Sequence, residues 1–133
     1  MTQTTRRDGF TLIELLMVLV IIGILAAVGV NRFWAAKDRS YRAVMQNDLR
    51  NLATHQEAYY GLHQTYAADA AELRNFSTSP GVTATVVDAS AGGYAARATH
   101  VSLADDANCG VYTGDADPAD GAPATSPGVI ACQ

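Results

Sequence analysis

The chain has 133 residues, a formal net charge of −4 at pH 7 and 49% hydrophobic residues. This length permits one modest domain beside a membrane span and no more. Arg97 is the only arginine or lysine between positions 75 and 133, so the C-terminal half is acidic. Because an acidic surface repels phosphate groups, we expect the chain to bind no nucleic acid.

A long apolar run follows a short basic leader. The leader occupies residues 1–9, and the next 21 residues, 10–30, carry only Thr11 and Glu14 as polar side chains. A bilayer core of roughly 30 Å requires around 20 helical residues. We therefore expect residues 10–30 to form a hydrophobic helix that spans a membrane or lies in a filament core.

Glu14 is an isolated carboxylate within this run. Such a group costs on the order of 2.5 to 3.5 kcal/mol at the centre of a membrane helix and less near the interface, so a partner is expected. If the peptide bond after Gly9 is cut, a new α-amine appears on Phe10 and could neutralise Glu14. The pair could form within one helix, at i and i+4, or between neighbouring copies.

The N-terminal residues closely resemble the class III signal of type IV pilins and type II secretion pseudopilins. The resemblance rests on Gly9, on Phe-Thr-Leu-Ile-Glu-Leu at 10–15 and on Ile-Ile-Gly-Ile-Leu-Ala-Ala at 21–27. It implies cleavage after Gly9 by a prepilin peptidase and N-methylation of Phe10. It also implies assembly on an inner-membrane platform into a filament, in which Glu14 meets the Phe10 amine of another copy.

An ordinary secretory signal is the alternative interpretation of the N-terminus. Arg6 and Arg7 would form its basic region, and cleavage near residues 27–29 would release a domain that starts at Val30. Glu14 would interrupt the hydrophobic region of such a signal, and the apolar run is longer than usual. The arginines and the lysine that follow the span would, by the positive-inside rule, place the C-terminal part in the cytoplasm. The leader motif and the cysteines instead favour an extracytoplasmic C-terminus.

Residues 31–62 continue the helical pattern and become amphipathic. At 100° per residue one side is apolar and the opposite side is polar. The predicted apolar stripe consists of Trp34, Tyr41, Val44, Met45, Leu49, Leu52, Tyr59 and Leu62. We expect this stripe to pack on a globular head formed by residues 63–133. Pilins of this kind mostly carry a proline where this chain has Asn31. The sequence therefore does not decide whether the helix kinks or unwinds at this position.

Strand patterns dominate the predicted head. We expect residues 66–76 to form a loop with one short helical turn at most. Residues 82–88 and 94–101 form a hairpin around the turn 90–93, and a third short strand fits residues 109–113. The predicted fold class is α+β, with a long N-terminal helix packed on a small antiparallel sheet of three to four strands.

The C-terminal segment 114–127 contains only small and polar residue types, so we expect a surface loop without a packed core. Cys109 and Cys132 lie on either side of this segment, and the arrangement resembles the disulfide-bounded loop of pilins. Two free thiols are the alternative. Such a bond would remove roughly 3 to 3.5 kcal/mol of denatured-state entropy.

Asp115, Asp117 and Asp120 are candidate calcium ligands within this loop. The calcium-loop motif requires an acid at position 119, where the chain has Ala119, and a later glutamate that is missing. We therefore expect solvated acids and no metal.

The sequence does not indicate catalysis. His55 and His63 are eight residues apart, about 12 Å along a helix, too far to share one metal. His100 stands alone on a predicted strand, and no phosphate-binding loop or nucleophile arrangement is evident. We expect no enzymatic activity and no cofactor.

Three functions remain. The favoured one is a structural subunit of a type IV pilus-like extracellular filament that serves adhesion, motility or DNA uptake. The second is a pseudopilin of a type II secretion system. The third is a membrane-tethered or secreted binding domain that does not assemble. In the first two cases the chain is a single-pass inner-membrane precursor, and its partners are other copies or other pilins.

Overall fold

The structure, a computed structural model, describes residues 9–133, and at residue 31 it describes the backbone alone. The predicted leader, including Arg6 and Arg7, lies outside the described residues except for Gly9. The chain divides into two compact units, one that ends at Ala36 and one that comprises Lys37–Gln133.

One helix, α1, runs from Leu12 to His63. The helical assignment continues through position 31, so the chain does not unwind there. Gln64 follows in the left-handed conformation with φ of 58°, and its N–H donates to the carbonyl of Tyr60 at 2.8 Å. This bond closes the last helical turn and ends the helix one residue beyond the predicted boundary.

Four antiparallel strands form one sheet in the order β1-β2-β3-β4. They are β1 (Val82–Ala89), β2 (Tyr94–His100), β3 (Asn108–Tyr112) and β4 (Ala131–Cys132), and a short 3-10 helix (Ala70–Glu72) precedes them. The three predicted strands and the short turn of helix are thus confirmed. The fourth strand has two residues, too few to produce an alternating pattern in the sequence.

The main core of the second unit lies between α1 and one face of the sheet. Met45, Leu49 and Leu52 are fully buried on the helix, and they pack with alternate residues of the strands. The sheet contributes Val82, Val86, Tyr94, Ala96, Ala98, Cys109 and Val111. The centre of the predicted apolar stripe is therefore confirmed, but its two ends are exposed, Trp34 to 55% and Leu62 to 75%. Neither residue belongs to this core.

The other face of the sheet is covered by the C-terminal loop. Ala116 and Ala124 are buried there against Ala95 and Tyr112. The side chain of Arg97 holds the loop by donating to the carbonyls of Ala119 and Asp120. The prediction that residues 114–127 lack a packed core was wrong, because the small side chains of Ala116 and Ala124 pack closely on Ala95 and Tyr112 of the sheet.

Candidate functional site at the start of the long helix

The predicted cleavage junction precedes the helix and is accessible. Gly9 and Phe10 are both exposed and non-helical, and the Phe10 side chain is 89% exposed. A methyl group added at Gly9 would meet no atom within 4 Å. Nothing in the described chain therefore shields the Gly9–Phe10 peptide bond from another protein.

Glu14 has a hydrogen-bond partner that the sequence reasoning missed. Its carboxylate accepts from the backbone N of Thr11 at 2.9 Å and from the Thr11 hydroxyl at 2.8 Å, and the Glu14 N–H donates to that hydroxyl at 3.3 Å. This reciprocal arrangement is a capping box, in which Thr11 is the cap and Glu14 the third residue of the helix. The signal was visible in the sequence as Thr-x-x-Glu before an apolar run.

The first unit presents an apolar surface around the whole helix. Its large hydrophobic side chains from Phe10 to Val30 are all more than half exposed. Length and composition alone make this helix able to cross a membrane, a test that a signal sequence also passes. Because exposed apolar area is unfavourable in water, this surface requires lipid or other protein chains around it.

Cys109 and Cys132 form a disulfide between β3 and β4, as the resemblance implied. The bond lies against α1, where the Gln46 side-chain amide donates to the Cys132 sulfur at 3.3 Å. Cys109 is fully buried within the main core. The covalent link therefore fixes the short C-terminal strand to both the sheet and the helix.

The candidate calcium ligands do not converge. An oxygen of Asp115 accepts from the Ser90 hydroxyl at 3.2 Å, and Asp117 accepts from the N–H of Ala119 at 2.8 Å. Across the part of the chain that the structure describes, no group of three or more histidine, cysteine, aspartate or glutamate side chains could hold a metal ion.

The histidines take part in ring contacts. His63 stacks on Tyr59 at 4.2 Å between ring centroids, and His55 lies edge-on to Phe76 at 5.7 Å. His100 is buried and stacks on Tyr41 at 4.1 Å, so it joins β2 to α1. These contacts give each imidazole a packing role.

Two buried polar side chains on α1 were not foreseen. Asp48 is 2% exposed and accepts from the N–H of Ser79 at 2.7 Å and from its hydroxyl at 2.9 Å. Gln56 is fully buried and exchanges two bonds with the backbone of Ala67, at 2.8 and 2.9 Å. Both side chains hold the segment between the helix and β1 against the core.

A long helix with an apolar first part and a second part packed on a disulfide-closed antiparallel sheet defines the pilin fold. Residues 4–30 match the prokaryotic N-terminal methylation motif. The chain is 40% identical over 95 residues to the major component of the type IV wide pilus of Thermus thermophilus. That match covers 69% of this chain and 72% of the relative, and the chain therefore belongs to the type IV pilin family.

Two further relatives match shorter stretches. The type IV major pilin of Myxococcus xanthus is 38% identical over 68 residues, which cover 51% of this chain and 31% of the relative. The type II secretion system core protein G of Pseudomonas aeruginosa is 37% identical over 57 residues, which cover 43% of this chain and 40% of the relative.

Proposed function

We propose that this chain is a structural subunit of an extracellular type IV pilus, assembled from the inner membrane. A peptidase removes residues 1–9, and Phe10 is then N-methylated. Residues 10–30 span the membrane in the precursor and enter the filament core after extraction. The observation that supports this proposal is the exposed apolar surface all around the helix of the first unit, which a filament core would bury.

Glu14 is the proposed assembly residue. Before cleavage its carboxylate is occupied by Thr11, which stabilises the start of the helix. After cleavage the Phe10 amine of a neighbouring copy supplies a positive charge that neutralises it. A carboxylate has lone pairs enough to accept from both groups, so capping and assembly are compatible.

A pseudopilin of a type II secretion system is the second candidate. It is supported by the similarity to core protein G, which spans 57 residues. The similarity to the pilus component spans 95 residues and covers 69% of this chain, against 43% for core protein G. The longer match favours the pilus.

Intact mass and N-terminal analysis of protein sheared from the cell surface tests this function. We expect long, abundant fibres composed of a chain that starts at methylated Phe10. Short fibres that appear only with a secretion apparatus would favour the pseudopilin. A soluble chain that starts at Val30 would refute assembly altogether.

A further inference from the structure

Three residues that follow the apolar run differ from it in chemical character. Residues 15–30 carry no polar side chain, and Arg32, Phe33 and Trp34 come shortly after them. All three side chains are exposed, and neither aromatic residue belongs to a hydrophobic core of the described chain. The two rings contact each other edge-on, with their centroids 5.9 Å apart. We call Arg32, Phe33 and Trp34 the collar.

The collar combines the features of a membrane-interface anchor. An indole joins an apolar body to a polar N–H, and aromatic residues collect where acyl chains meet headgroups. An arginine has an apolar stem and a guanidinium that binds phosphate. Successive helical residues are 100° apart, so the collar extends about 200° around the helix. A single neighbouring protein surface would cover one side of it, whereas lipid headgroups surround it.

The spacing between the collar and Glu14 matches the thickness of a bilayer. Trp34 lies 20 residues after Glu14, which is about 30 Å along the helix. The hydrocarbon core of a bilayer is roughly 30 Å thick. Glu14 and its partner Thr11 form the polar end of the apolar run, with their side chains 2.8 Å apart. A bilayer that has Trp34 at one interface therefore has Glu14 at the other.

We propose that the collar binds phospholipid headgroups on the extracytoplasmic face of the membrane and sets the depth of the span. Arg32 contacts lipid phosphate, and the rings of Phe33 and Trp34 lie between the headgroups and the acyl chains. Glu14 then lies at the cytoplasmic interface, close to the cleavage junction. This assignment rests on the proposed function, in which the apolar run spans the membrane in the precursor.

The same register affects extraction of the subunit. An outward movement of the helix draws Glu14 from the cytoplasmic interface into hydrocarbon, where an ionised carboxylate is unfavourable. In the resting precursor Glu14 therefore needs no cation from another chain. It needs one when the helix moves, which is the moment at which a neighbouring copy supplies its Phe10 amine.

The depth of Trp34 can be measured without a label, because it is the only tryptophan of the chain. The full chain is reconstituted into vesicles of phosphatidylethanolamine and phosphatidylglycerol at a high lipid-to-protein ratio. The collar would hold the indole about 15 Å from the bilayer centre. Lipids brominated near the headgroup should therefore quench its fluorescence at least about twofold more strongly than lipids brominated near the end of the acyl chain.

A matched control moves the tryptophan to the middle of the span. Ile24 is 10 residues, about 15 Å, from both Glu14 and Trp34. In the variant with Trp34→Phe and Ile24→Trp, the deep bromines should be the stronger quencher.

The contribution of Arg32 is tested in the same vesicles. Arg32→Leu removes the charge that holds the collar at the headgroups, so the quenching of Trp34 should shift toward the deep bromines. Arg74→Leu, at an exposed arginine outside the apolar helix, should leave the quenching ratio unchanged. Equal ratios from the wild type and both variants would overturn the role of Arg32.

A cysteine in the middle of the span separates failure of the register from failure of the proposed function. Both native cysteines are in the disulfide, so Ile24→Cys provides a single free thiol. A water-soluble maleimide present on both sides of the vesicle should not label it. Labelling would show that the apolar run does not span, which overturns the proposed precursor and the register together.

Protection of Ile24→Cys with a different depth for Trp34 would overturn the register alone. Stronger quenching of Trp34 by the deep bromines would place the collar inside the hydrocarbon. Shielding of Trp34 from both brominated lipids would show that water or another copy of the chain, and not lipid, surrounds the collar.

Discussion

The Glu14 carboxylate accepts two hydrogen bonds from Thr11, one from the backbone N at 2.9 Å and one from the hydroxyl at 2.8 Å. Glu14 therefore has two separable properties, a hydrogen-bonding capacity that caps the helix and a negative charge available to another chain. Glutamine satisfies the capping box as glutamate does but carries no charge.

Glu14→Gln should consequently separate the two properties. We expect Glu14→Gln and Glu14→Ala both to be cleaved after Gly9 yet to enter filaments poorly, because neither side chain can neutralise the Phe10 amine. Thr11→Val, which removes only the hydroxyl, should weaken the cap by about 1 kcal/mol and still assemble. Immunoblots for leader removal and the yield of sheared filaments measure both steps. Wild-type yield from Glu14→Gln would show that the charge is not required.

Asp48 should stabilise the head through Ser79. Asp48→Ala leaves two donors of Ser79 without their acceptor in a half-buried place, so we expect a loss of about 2 to 3 kcal/mol in the free energy of unfolding. Ser79→Ala removes one of the two bonds and should lose about 1 kcal/mol. Urea unfolding of the detergent-solubilised chain, followed by near-ultraviolet circular dichroism, gives these values.

The exposed Asp38 offers a matched control for Asp48, since it is an aspartate on the same helix. Asp38→Ala should change stability by no more than about 0.5 kcal/mol. Equal losses from the two aspartates would contradict a specific role for the bonds to Ser79.

The disulfide should contribute about 3 kcal/mol to stability, since it closes a loop with a sequence separation of 23 residues. Cys109→Ala with Cys132→Ala should shift the urea midpoint down accordingly. Reductant should shift the midpoint of the wild type and leave that of the double variant unchanged. A wild-type midpoint insensitive to complete reduction would show that the sheet and loop hold without the bond.

Tyrosine ionisation should reduce stability at alkaline pH. Burial raises the pKa of Tyr94 and of Tyr66, and the bond to Glu72 raises the pKa of Tyr59. The folded chain thus holds these protons more tightly than the unfolded chain, whose tyrosines titrate near 10. The stabilisation is complete below pH 10 and is lost as the pH rises through the higher folded values.

Absorbance at the phenolate band, recorded against pH, measures this titration. We expect part of the tyrosine signal to appear late and together with loss of near-ultraviolet circular dichroism. Tyr66→Phe removes one of the delayed groups and should reduce the late phase. A single titration of all tyrosines near pH 10, with the fold intact, would contradict the expectation.

The sequence predicted the strands at residues 82–88, 94–101 and 109–113 and the apolar centre of the helix because these features are periodic. The alternation of side chains along a strand and their 100° spacing around a helix depend on local geometry. Both patterns can therefore be recognised without knowing which elements pack against them. Glu14 was identified in the same way, as an acid within an apolar run. Its partner Thr11 was overlooked although the capping pattern is equally local.

By itself the sequence determined the leader motif, the apolar helix, the hairpin and the two cysteines, since each depends on residue type and spacing within a short segment. Only the tertiary structure decided that Asp48 and Gln56 are buried, because their partners Ser79 and Ala67 come from a different part of the chain. It also decided that Leu62 is exposed. Burial depends on which surface lies opposite a residue, and periodicity describes one element at a time.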